Sequence, residues 1–352
     1  MLKSHKSRAK AISGRRLDRL AQLRHWLEGV LGTSGFDLAP ASGDASFRRY
    51  FRVTRSSGET LIAMDAPPEK EDCRPFLHAA ALLADAGVHV PAVHAQNLAE
   101  GFLLLSDLGG TTYLQALGAD SADRLYADAI AALVRIQRAS AAGKLPEYDR
   151  ELLLRELKLF PDWYVARQLG RELSPAQRTV LDDAFELLLE NNLAQPRVYV
   201  HRDYHSRNLM VCQPCPGILD FQDAVYGPIT YDLVSLLRDA YIEWDEERVL
   251  DWAIVYWEAA RKAGLPVAGD FAAFYRDFEW MGAQRQLKVI GIFARLCYRD
   301  GKEGYLKDQP LVMRYLRRTC ERYRELAPLA HLLGELQDKR TGRATASEGR
   351  AG

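Results

Sequence analysis

The sequence has 352 residues, of which 48% are hydrophobic and 27% are charged, and its 47 Lys and Arg side chains are balanced by 47 Asp and Glu side chains. This composition is ordinary for a globular protein of one large domain or two lobes, and a net charge of zero gives no support to a nucleic-acid partner. No run approaches the ~18 apolar residues that a membrane-spanning helix needs, so no membrane association is expected. The five cysteines are scattered and odd in number, which is typical of a reduced, cytoplasmic protein.

The two ends of the chain differ in composition from the rest. Residues 1–16 carry six basic side chains and no acidic one. No apolar core follows them, so we expect a solvated basic arm rather than a secretory signal. Residues 338–352 are polar and aperiodic, which predicts a disordered tail.

Residues 17–108 are predicted to be rich in β-strands. Leucine periodicity predicts a first helix, and alternating or β-prone runs separated by small-residue turns predict the strands. The predicted elements are helix Leu17–Leu31, strands Phe36–Ala39, Tyr50–Thr54 and Thr60–Asp65, helix Phe76–Ala86, and the strand pair Ala92–Gln96 and Gly101–Ser106.

Beyond Gly110 the sequence predicts a mainly helical region, interrupted by one polar segment with short β-prone runs. The helices are predicted from apolar residues at helical spacing and from start signals such as Ser174-Pro175. They are Ser121–Ser140, Arg150–Leu169, Ser174–Asn192, Tyr231–Tyr241, Glu246–Ala263, Asp270–Tyr298 and Gln309–Leu326.

The interrupting segment is the most informative part of the chain. An apolar run, Val198–Val200, leads into a polar loop and then into two short β-prone runs around a turn. A hairpin centred on Pro214 would place Asn208 opposite Asp220, with their Cβ atoms roughly 5 Å apart. A carboxamide and a carboxylate that converge in this way suit Mg²⁺. Asp203 lies in the loop that feeds the hairpin, where it can accept a proton from a substrate hydroxyl.

This segment resembles the catalytic loop and metal-binding aspartate of the protein-kinase-like fold, H-x-D-x-x-x-x-N followed by D-F. The matching residues are His201-Arg202-Asp203, Asn208 and Asp220-Phe221. A chance His-Arg-Asp before an ordinary hairpin is the alternative, but the spacing and the flanking apolar runs would then have to coincide. His205 matches the aminoglycoside phosphotransferase and choline kinase superfamily, whereas protein kinases usually carry Lys there. No activation segment like that of protein kinases follows.

The resemblance implies an α+β, protein-kinase-like fold of two lobes, with a small β-rich N-lobe at 17–108 and a larger, mainly α-helical C-lobe at 109–337. It also implies ATP and Mg²⁺ as cofactors. The loop Pro40–Arg49 is the expected phosphate lid, because backbone amides of a small-residue loop can lie over phosphates. The turn after the strand Gly101–Ser106 is the expected hinge, although a plain strand-to-helix turn fits its sequence equally well. The residues assigned to nucleotide binding are Gly43, Ser46, Phe47, Arg48, Arg49, Met64, Ser106, Asp107 and Leu108.

One strand departs from the superfamily pattern. Leu61–Met64 lacks the Lys that should reach the nucleotide phosphates, and the next helix offers no obvious Glu partner for it. When the Lys and its Glu partner are both absent, neither of them is left as a buried charge without a partner. Phosphate charge is then left to Mg²⁺, to loop amides and to Arg48 or Arg49, which could equally be solvated strand residues.

Three further segments resemble the bacterial cell-wall sugar kinases that phosphorylate N-acetylmuramate and N-acetylglucosamine at the anomeric hydroxyl. They are Leu61–Pro68, Asp220–Leu233 and Gln284–Phe293. This resemblance implies a small amino-sugar acceptor, a 1-phosphate product, and a downstream nucleotidyltransferase that makes the UDP-sugar in wall recycling.

The polar face of the helix Asp270–Tyr298 is the candidate acceptor surface. An Arg on this face could bind the lactyl carboxylate of a muramic sugar with two hydrogen bonds, although a solvated helix face is the alternative. The residues assigned to substrate binding are His205, Asp223, Gln284, Arg285 and Lys288, with Asp232 as structural support beneath the catalytic loop.

Two other functions stay open. The first is a kinase of the same fold that acts on an aminoglycoside, a choline-like alcohol or another small hydroxyl compound. The second is a catalytically silent nucleotide-binding regulator, which the missing Lys favours and the intact Asp203, Asn208 and Asp220 oppose. The acceptor, the position of phosphorylation and the oligomeric state are not determined by the sequence.

Overall fold

The computed structural model describes residues 19–42 and 47–338, which form two compact units. The first unit contains the chain up to Leu82 together with Val90–Gly109, and the second contains Leu83–His89 and the chain from Gly110 onwards. The predicted α+β class is confirmed, with a small antiparallel sheet in the N-terminal part and a mostly helical remainder. Within the described residues, no helix is both long enough and apolar enough to cross a bilayer.

The first unit is built on a five-stranded antiparallel sheet in the order β1-β2-β3-β5-β4. The elements are helix α1 (19–31), strands β1 (Phe36–Ser42), β2 (Arg49–Arg55) and β3 (Thr60–Asp65), helix α2 (Arg74–Asp85), and strands β4 (Val93–Asn97) and β5 (Phe102–Ser106). Helix α1 covers one face of the sheet, where its Leu23 and Leu27 are fully buried together with Val53. The pairing of β4 with β5 confirms the predicted strand pair.

The loop between β1 and β2 is shorter than the predicted lid. Strand β1 continues to Ser42 and β2 already begins at Arg49, so both ends of the predicted loop pair as strands. Backbone groups that pair between the strands are not available to phosphates. Gly43 and Ser46, two of the predicted nucleotide ligands, lie outside the described residues, as do the predicted basic arm and residues 339–352.

The second unit is mainly helical and carries two small two-stranded sheets, β6 with β9 and β7 with β8. Its elements are helices α3 (Tyr113–Ala116), α4 (Ala122–Arg138) and α5 (Arg150–Leu157), a π-helical segment (Phe160–Gln168), helix α6 (Pro175–Ala194), strands β6 (Arg197–Val200), β7 (Leu209–Met210), β8 (Gly217–Ile218) and β9 (Val225–Pro228), helices α7 (Tyr231–Leu237), α8 (Glu246–Lys262) and α9 (Phe271–Asp300), a 3-10 turn (Glu303–Tyr305), helix α10 (Gln309–Arg322), a second 3-10 turn (Arg324–Leu326) and helix α11 (Ala327–Gln337).

The single helix predicted over Arg150–Leu169 is wrong. It is divided into α5 and the π-helical segment, and Pro161 at the start of the latter has no amide hydrogen to continue the α-helical pattern. The backbone between the two pieces is also packed tightly against α9. A Cβ atom on Gly291 would lie only 2.3 Å from the carbonyl carbon of Leu159, so the close approach of the two segments depends on that glycine.

Two other predicted helices extend four residues too far. Helix α7 ends at Leu237 and not at Tyr241, because the side chain of Asp239 accepts a hydrogen bond from the amide of Tyr241 and so supports a turn there. The predicted helix Gln309–Leu326 is divided into α10 and a 3-10 turn, and helix α11 after it was not predicted.

Helix α9 is the central element of the second unit. From Phe278 to Gly291 every side chain is buried, on the polar face as well as on the apolar one. Polar side chains on a helix that is buried all round are removed from water, so leaving them without a partner is costly. The solvated face that stood as an alternative for Gln284, Arg285 and Lys288 is therefore wrong.

Candidate active site

A loop over His201–Asn208 joins the end of β6 to the start of β7. Strand β6 is held by its antiparallel pairing with β9, and β7 pairs with β8 in the predicted hairpin. The loop therefore leaves one small sheet and enters another, and both of its ends are fixed by backbone hydrogen bonds.

The hairpin has a different register from the predicted one. Leu209 faces Ile218, and the amide of Leu219 donates to the carbonyl of Asn208 at 2.9 Å. Asn208 thus stands across from Leu219 rather than from Asp220. Asp220 still reaches Asn208, with 3.3 Å between Oδ2 and Nδ2, because its φ of 64° turns the chain out of the strand conformation. The two predicted metal ligands meet, although not by the predicted strand pairing.

The buried ring of His201 ties the loop to the hairpin. Its Nε2 lies 2.9 Å from the carbonyl oxygen of Leu219, and its Nδ1 lies 3.3 Å from the amide nitrogen of Asp203. Because a carbonyl only accepts and an amide only donates, the ring is neutral with its proton on Nε2. Burial lowers the pKa of His201 to about 4, in agreement with that neutral form.

Two buried carboxylates hold the loop in place by accepting hydrogen bonds from its backbone. Asp232 accepts hydrogen bonds from the amides of His201 and Arg202 at 2.6 and 3.0 Å, and Asp239 accepts one from the amide of Ser206 at 2.9 Å. Arg202 has a φ of 75°, so its bond to Asp232 helps to hold an unfavourable backbone conformation. Burial raises the pKa of Asp232 to about 7, although the two amide donors act in the opposite direction.

The carboxylate of Asp203 is not engaged by its surroundings. Among residues 19–42 and 47–338, this carboxylate makes no hydrogen bond or ion pair. Only the backbone of Asp203 is bonded, for example through its carbonyl oxygen, which accepts from the side-chain Nδ2 of Asn208 at 3.0 Å. Burial alone would raise the pKa of Asp203, but the positive charges of Lys288 and Arg285, with other cations nearby, hold it below its ordinary value. Asp203 is thus an ionised acceptor with free lone pairs.

A buried glutamate that the sequence analysis missed lies beside this loop. Glu156 of α5 is paired with Arg202 of the loop and with Lys288 of α9, the latter at 3.0 Å. Its other oxygen accepts a hydrogen bond from the hydroxyl of Tyr148 and, at 3.3 Å, one from the side-chain amide of Gln284. Lys288 also donates to the hydroxyl of Tyr231 at 2.8 Å. Two of the predicted substrate ligands, Gln284 and Lys288, are therefore already bound to Glu156.

Arg285 differs from these two neighbours on α9. It is only 4% exposed, yet within the described part of the chain it makes no hydrogen bond or ion pair, and its Nε is buried without a partner. Its charge contributes to lowering the pKa values of both Asp203 and His205, the latter effect being secondary to burial. Arg285 is therefore a buried cation near the loop that no described side chain binds directly.

The other two predicted acceptor residues lie on and after the loop. His205 is buried with its ring edge-on to Tyr241 at 5.4 Å, and its Nδ1 has no hydrogen-bond partner in the described residues. Asp223 is exposed, and its carbonyl oxygen lies 3.5 Å from a guanidinium nitrogen of Arg202.

In the first unit, the end of β3 carries a buried charge network in place of a lysine. Met64 is fully buried in the sheet. The next residue, Asp65, is also fully buried and is ion-paired with Arg19 of α1 and Arg49 of β2. Of the Arg49 side chain, 29% is exposed, so its guanidinium is fixed on one side and accessible on the other.

The remaining predicted nucleotide residues of the first unit fall into two groups. Phe47 and Arg48 precede β2; Phe47 is 59% exposed, and Lys70 lies 4.3 Å from its ring centre. At the end of β5, the hydroxyl of Ser106 accepts from the amide of Ala92 at 2.8 Å, and Leu108 is buried. Between them, Asp107 is ion-paired with Arg52 at 2.6 Å. Its side chain therefore has a structural partner within the unit.

The donor set around the hairpin fits a magnesium ion. No group of three or more His, Cys, Asp or Glu side chains that could enclose a metal occurs in residues 19–42 and 47–338. Mg²⁺ does not need such a group, since it is usually bound through one or two protein oxygens together with phosphates and water. The carboxylate of Asp220 and the amide oxygen of Asn208 supply a set of this kind.

A free, ionised aspartate on a braced loop, next to an Asn–Asp pair on a hairpin, is the constellation of an enzyme that transfers phosphate to a hydroxyl group. Residues 37–269 match the model of the Phosphotransferase enzyme family. The chain belongs to this family, and the prediction of a phosphotransferase with an alcohol group as acceptor is confirmed.

Relatives of high identity cover almost the whole chain. The N-acetylmuramate/N-acetylglucosamine kinase of Neisseria meningitidis serogroup B is 54% identical over 324 residues, which are 91% of this chain and 96% of the relative. The kinase of the same name from Pseudomonas putida is 51% identical over 329 residues, covering 91% and 97% of the two chains. The predicted resemblance to this group is confirmed.

Solved structures share the fold at low identity. An ADP-bound aminoglycoside phosphotransferase, APH(2'')-Ib, has a TM-score of 0.57 at 16% identity and covers 85% of this chain and 98% of its own. A choline/ethanolamine kinase family protein from Mesorhizobium loti has a TM-score of 0.61 at 14% identity, covering 90% and 99%. The predicted protein-kinase-like fold of the aminoglycoside phosphotransferase and choline kinase class is thereby confirmed.

Proposed function

We propose that this protein is an ATP-dependent sugar kinase that phosphorylates the anomeric hydroxyl of N-acetylmuramate and N-acetylglucosamine. The relatives from Neisseria meningitidis and Pseudomonas putida, which are 54% and 51% identical to it over the aligned residues, are named N-acetylmuramate/N-acetylglucosamine kinase. The product would be the sugar 1-phosphate, which a nucleotidyltransferase could convert into a UDP-sugar during cytoplasmic recycling of wall fragments.

The observation that carries the reaction is the carboxylate of Asp203, which has no hydrogen-bond or ion-pair partner in the described part of the chain. An ionised carboxylate with free lone pairs can accept the proton of a hydroxyl group placed against it. The hydroxyl oxygen then forms a bond to the γ-phosphorus of ATP while the bond from that phosphorus to the β-phosphate oxygen breaks. ADP leaves, and the proton remains on Asp203 until it is lost to water.

The nucleotide is assigned to residues of the N-terminal region 17–108, and the acceptor to the region 109–337. Mg²⁺ held by Asn208 and Asp220 would neutralise phosphate charge. Arg49, oriented by Asp65, would supply positive charge in place of the missing lysine. Backbone groups of Ser106 and Leu108 are assigned to adenine, while Asp107 holds the turn through Arg52.

The acceptor is assigned to the surroundings of Arg285. A buried guanidinium with no hydrogen bond or ion pair to any described residue favours an anionic ligand, because such a ligand would offset the desolvation of the charge. Of the two proposed sugars, N-acetylmuramate carries a lactyl carboxylate and N-acetylglucosamine carries none. His205 and Asp223 are assigned to the uncharged sugar hydroxyls common to both.

Phosphorus NMR of the products from an acceptor panel tests the proposal. The panel contains N-acetylmuramate, N-acetylglucosamine, an aminoglycoside and choline, each with ATP and Mg²⁺. We expect a sugar 1-phosphate from the first two and no product from the last two. A phosphate at another sugar position, or transfer only to an aminoglycoside or choline, would replace the proposed acceptor. Absence of transfer to all four, with nucleotide still bound, would favour a regulator.

A further inference from the structure

Glu156 occupies an unusual position for a side chain outside the catalytic motif. Its side chain is 6% exposed, and its carboxylate receives four donors, two on each oxygen. They belong to the catalytic loop, to α9 and to the segment before α5, and they are Arg202, Lys288, Gln284 and Tyr148. A buried carboxylate needs this number of partners to offset the loss of its hydration.

Two cations and two carboxylates, in addition to Arg285, lie close together around Glu156 and Asp203. Arg202 and Lys288 are positive, and Glu156 and Asp203 are negative. Either cation could pair with either carboxylate on charge grounds alone. In the structure both cations pair with Glu156, and Lys288 also donates a hydrogen bond to the hydroxyl of Tyr231.

The consequence of this distribution is seen at Asp203. Its carboxylate makes no ion pair with any described residue, although Lys288 and Arg202 are near enough for their charges to lower its pKa. A direct ion pair would occupy the lone pairs that a substrate hydroxyl needs. Because Glu156 binds both Lys288 and Arg202, neither cation occupies the lone pairs of Asp203.

We propose that Glu156 is a positioning residue that holds Lys288 and Arg202 away from Asp203 and so keeps the carboxylate of Asp203 available to the acceptor hydroxyl. This role rests on the proposed function, because it assumes that Asp203 receives the hydroxyl proton. The competing explanation is that Glu156 only cross-links α5, α9 and the loop, and that the catalytic carboxylate would remain free without it.

A cycle of variants separates the two explanations. Glu156→Gln keeps the size of the side chain but removes its charge, which leaves Lys288 in need of a new anionic partner. Lys288→Met removes the competing ammonium, and the double variant Glu156→Gln/Lys288→Met removes both members of the pair. Glu151→Gln is the matched control, because Glu151 is an exposed residue of the same helix.

If Lys288 competes for Asp203 once Glu156 is lost, adding Lys288→Met should restore part of the activity that Glu156→Gln removes. In steady-state assays, Glu156→Gln is expected to lower kcat by about 100-fold, as displacement of a reacting group does, with little change in either KM. Adding Lys288→Met is expected to recover at least about tenfold of that loss. Glu151→Gln is expected to match the wild type. A double variant no more active than Glu156→Gln would overturn the proposal, as would wild-type kcat in Glu156→Gln.

Two further measurements do not depend on the acceptor. In a crystal structure of Glu156→Gln, a nitrogen of Lys288 or Arg202 should lie within about 4 Å of a carboxylate oxygen of Asp203. A carboxylate that stays unpaired there overturns the inference even if the proposed sugars are phosphorylated. Failure of the wild type to phosphorylate either sugar contradicts the proposed function instead. If Glu156→Gln does not fold, thermal unfolding of the double variant tests the proposal. Because the double variant has lost both charges of the pair, it should fold again. A double variant that also fails to fold overturns the proposal.

Discussion

The side-chain amide of Asn208 donates to the carboxylate of Asp220 across 3.3 Å, although the two residues are not opposite each other in the hairpin. The contact exists because the backbone of Asp220 adopts a φ of 64°, a conformation that Asp tolerates better than most residues. Gln222 donates to the second oxygen of Asp220 at 2.8 Å and fixes the carboxylate further. The geometry of the proposed metal ligands is thus set by a backbone turn as well as by the side chains.

The proximity of Asn208 and Asp220 predicts that they act as one unit. Asn208→Ala and Asp220→Ala should each raise the Mg²⁺ concentration needed for half-maximal activity. The double variant should lose much less than the product of the two single effects, since one ion is lost in each case. Titration of activity with Mg²⁺ measures this. Multiplicative losses with unchanged midpoints would show that the two side chains do not share an ion.

The free carboxylate of Asp203 predicts a selective effect on turnover. Asp203→Asn retains the shape but cannot take a proton, so kcat should fall by about 10²- to 10⁴-fold, the usual range for loss of a general base. Binding of ATP, measured by calorimetry, should persist. A variant that keeps more than about a tenth of wild-type kcat would exclude Asp203 as the base, because this is far above that range.

The guanidinium of Arg285, which no described side chain binds directly, predicts discrimination between two acceptors. Arg285→Gln should raise KM for N-acetylmuramate by roughly tenfold or more, as loss of a charge-assisted hydrogen bond does, because the lactyl carboxylate loses its partner. KM for N-acetylglucosamine should change little. Parallel initial-rate measurements with both sugars give the ratio. An equal effect on both would place Arg285 outside carboxylate recognition.

The fixed guanidinium of Arg49 predicts a role in nucleotide binding. Arg49→Ala should raise KM for ATP by about tenfold, the value of one charge-assisted contact, and leave the acceptor KM nearly unchanged. Arg55→Ala is the matched control, because Arg55 lies on the same strand and pairs with exposed Glu59 at 3.1 Å. If both variants bind ATP like the wild type, the missing lysine is not replaced by Arg49.

The buried, neutral ring of His201 predicts a pH dependence of stability. Its pKa is about 4 in the folded protein, against an ordinary value of 6.5. Between these values the unfolded chain holds more protons, so stability is lost as pH falls from about 6.5 to about 4. His201→Gln keeps a donor for the Leu219 carbonyl and removes the titration. Urea unfolding at several pH values should show the wild type losing roughly 3 kcal/mol more than the variant over this window; parallel curves would contradict it.

Local sequence predicted the strands, most helices and the composition of the catalytic loop, because each depends on spacing along the chain. The hairpin register could not be derived in the same way. It depends on where Asp220 leaves the strand, which is decided by its backbone angle and its contacts with Asn208 and Gln222. The contact between Asn208 and Asp220 is nevertheless present, although the register from which it was predicted is wrong.

The network of Glu156 was missed, although the sequence carries a signal for it. Leu153, Glu156 and Leu157 share one face of α5, and all three are buried. A charged residue at a position where helical periodicity requires an apolar one indicates a buried ion pair. Its partner on α9 could not be identified, because more than a hundred residues separate Glu156 from Lys288 and only the fold brings them together.

The buried ion pairs of Asp65 also limit how this strand could have evolved. Asp65→Lys would place three cations together, since Arg19 and Arg49 already converge there. Met64→Lys would bury an ammonium group in a fully enclosed position without a carboxylate to receive it. Neither substitution alone is therefore expected to be tolerated. If Arg49 supplies positive charge to the nucleotide as proposed, a change to a strand lysine would require several residues to change together.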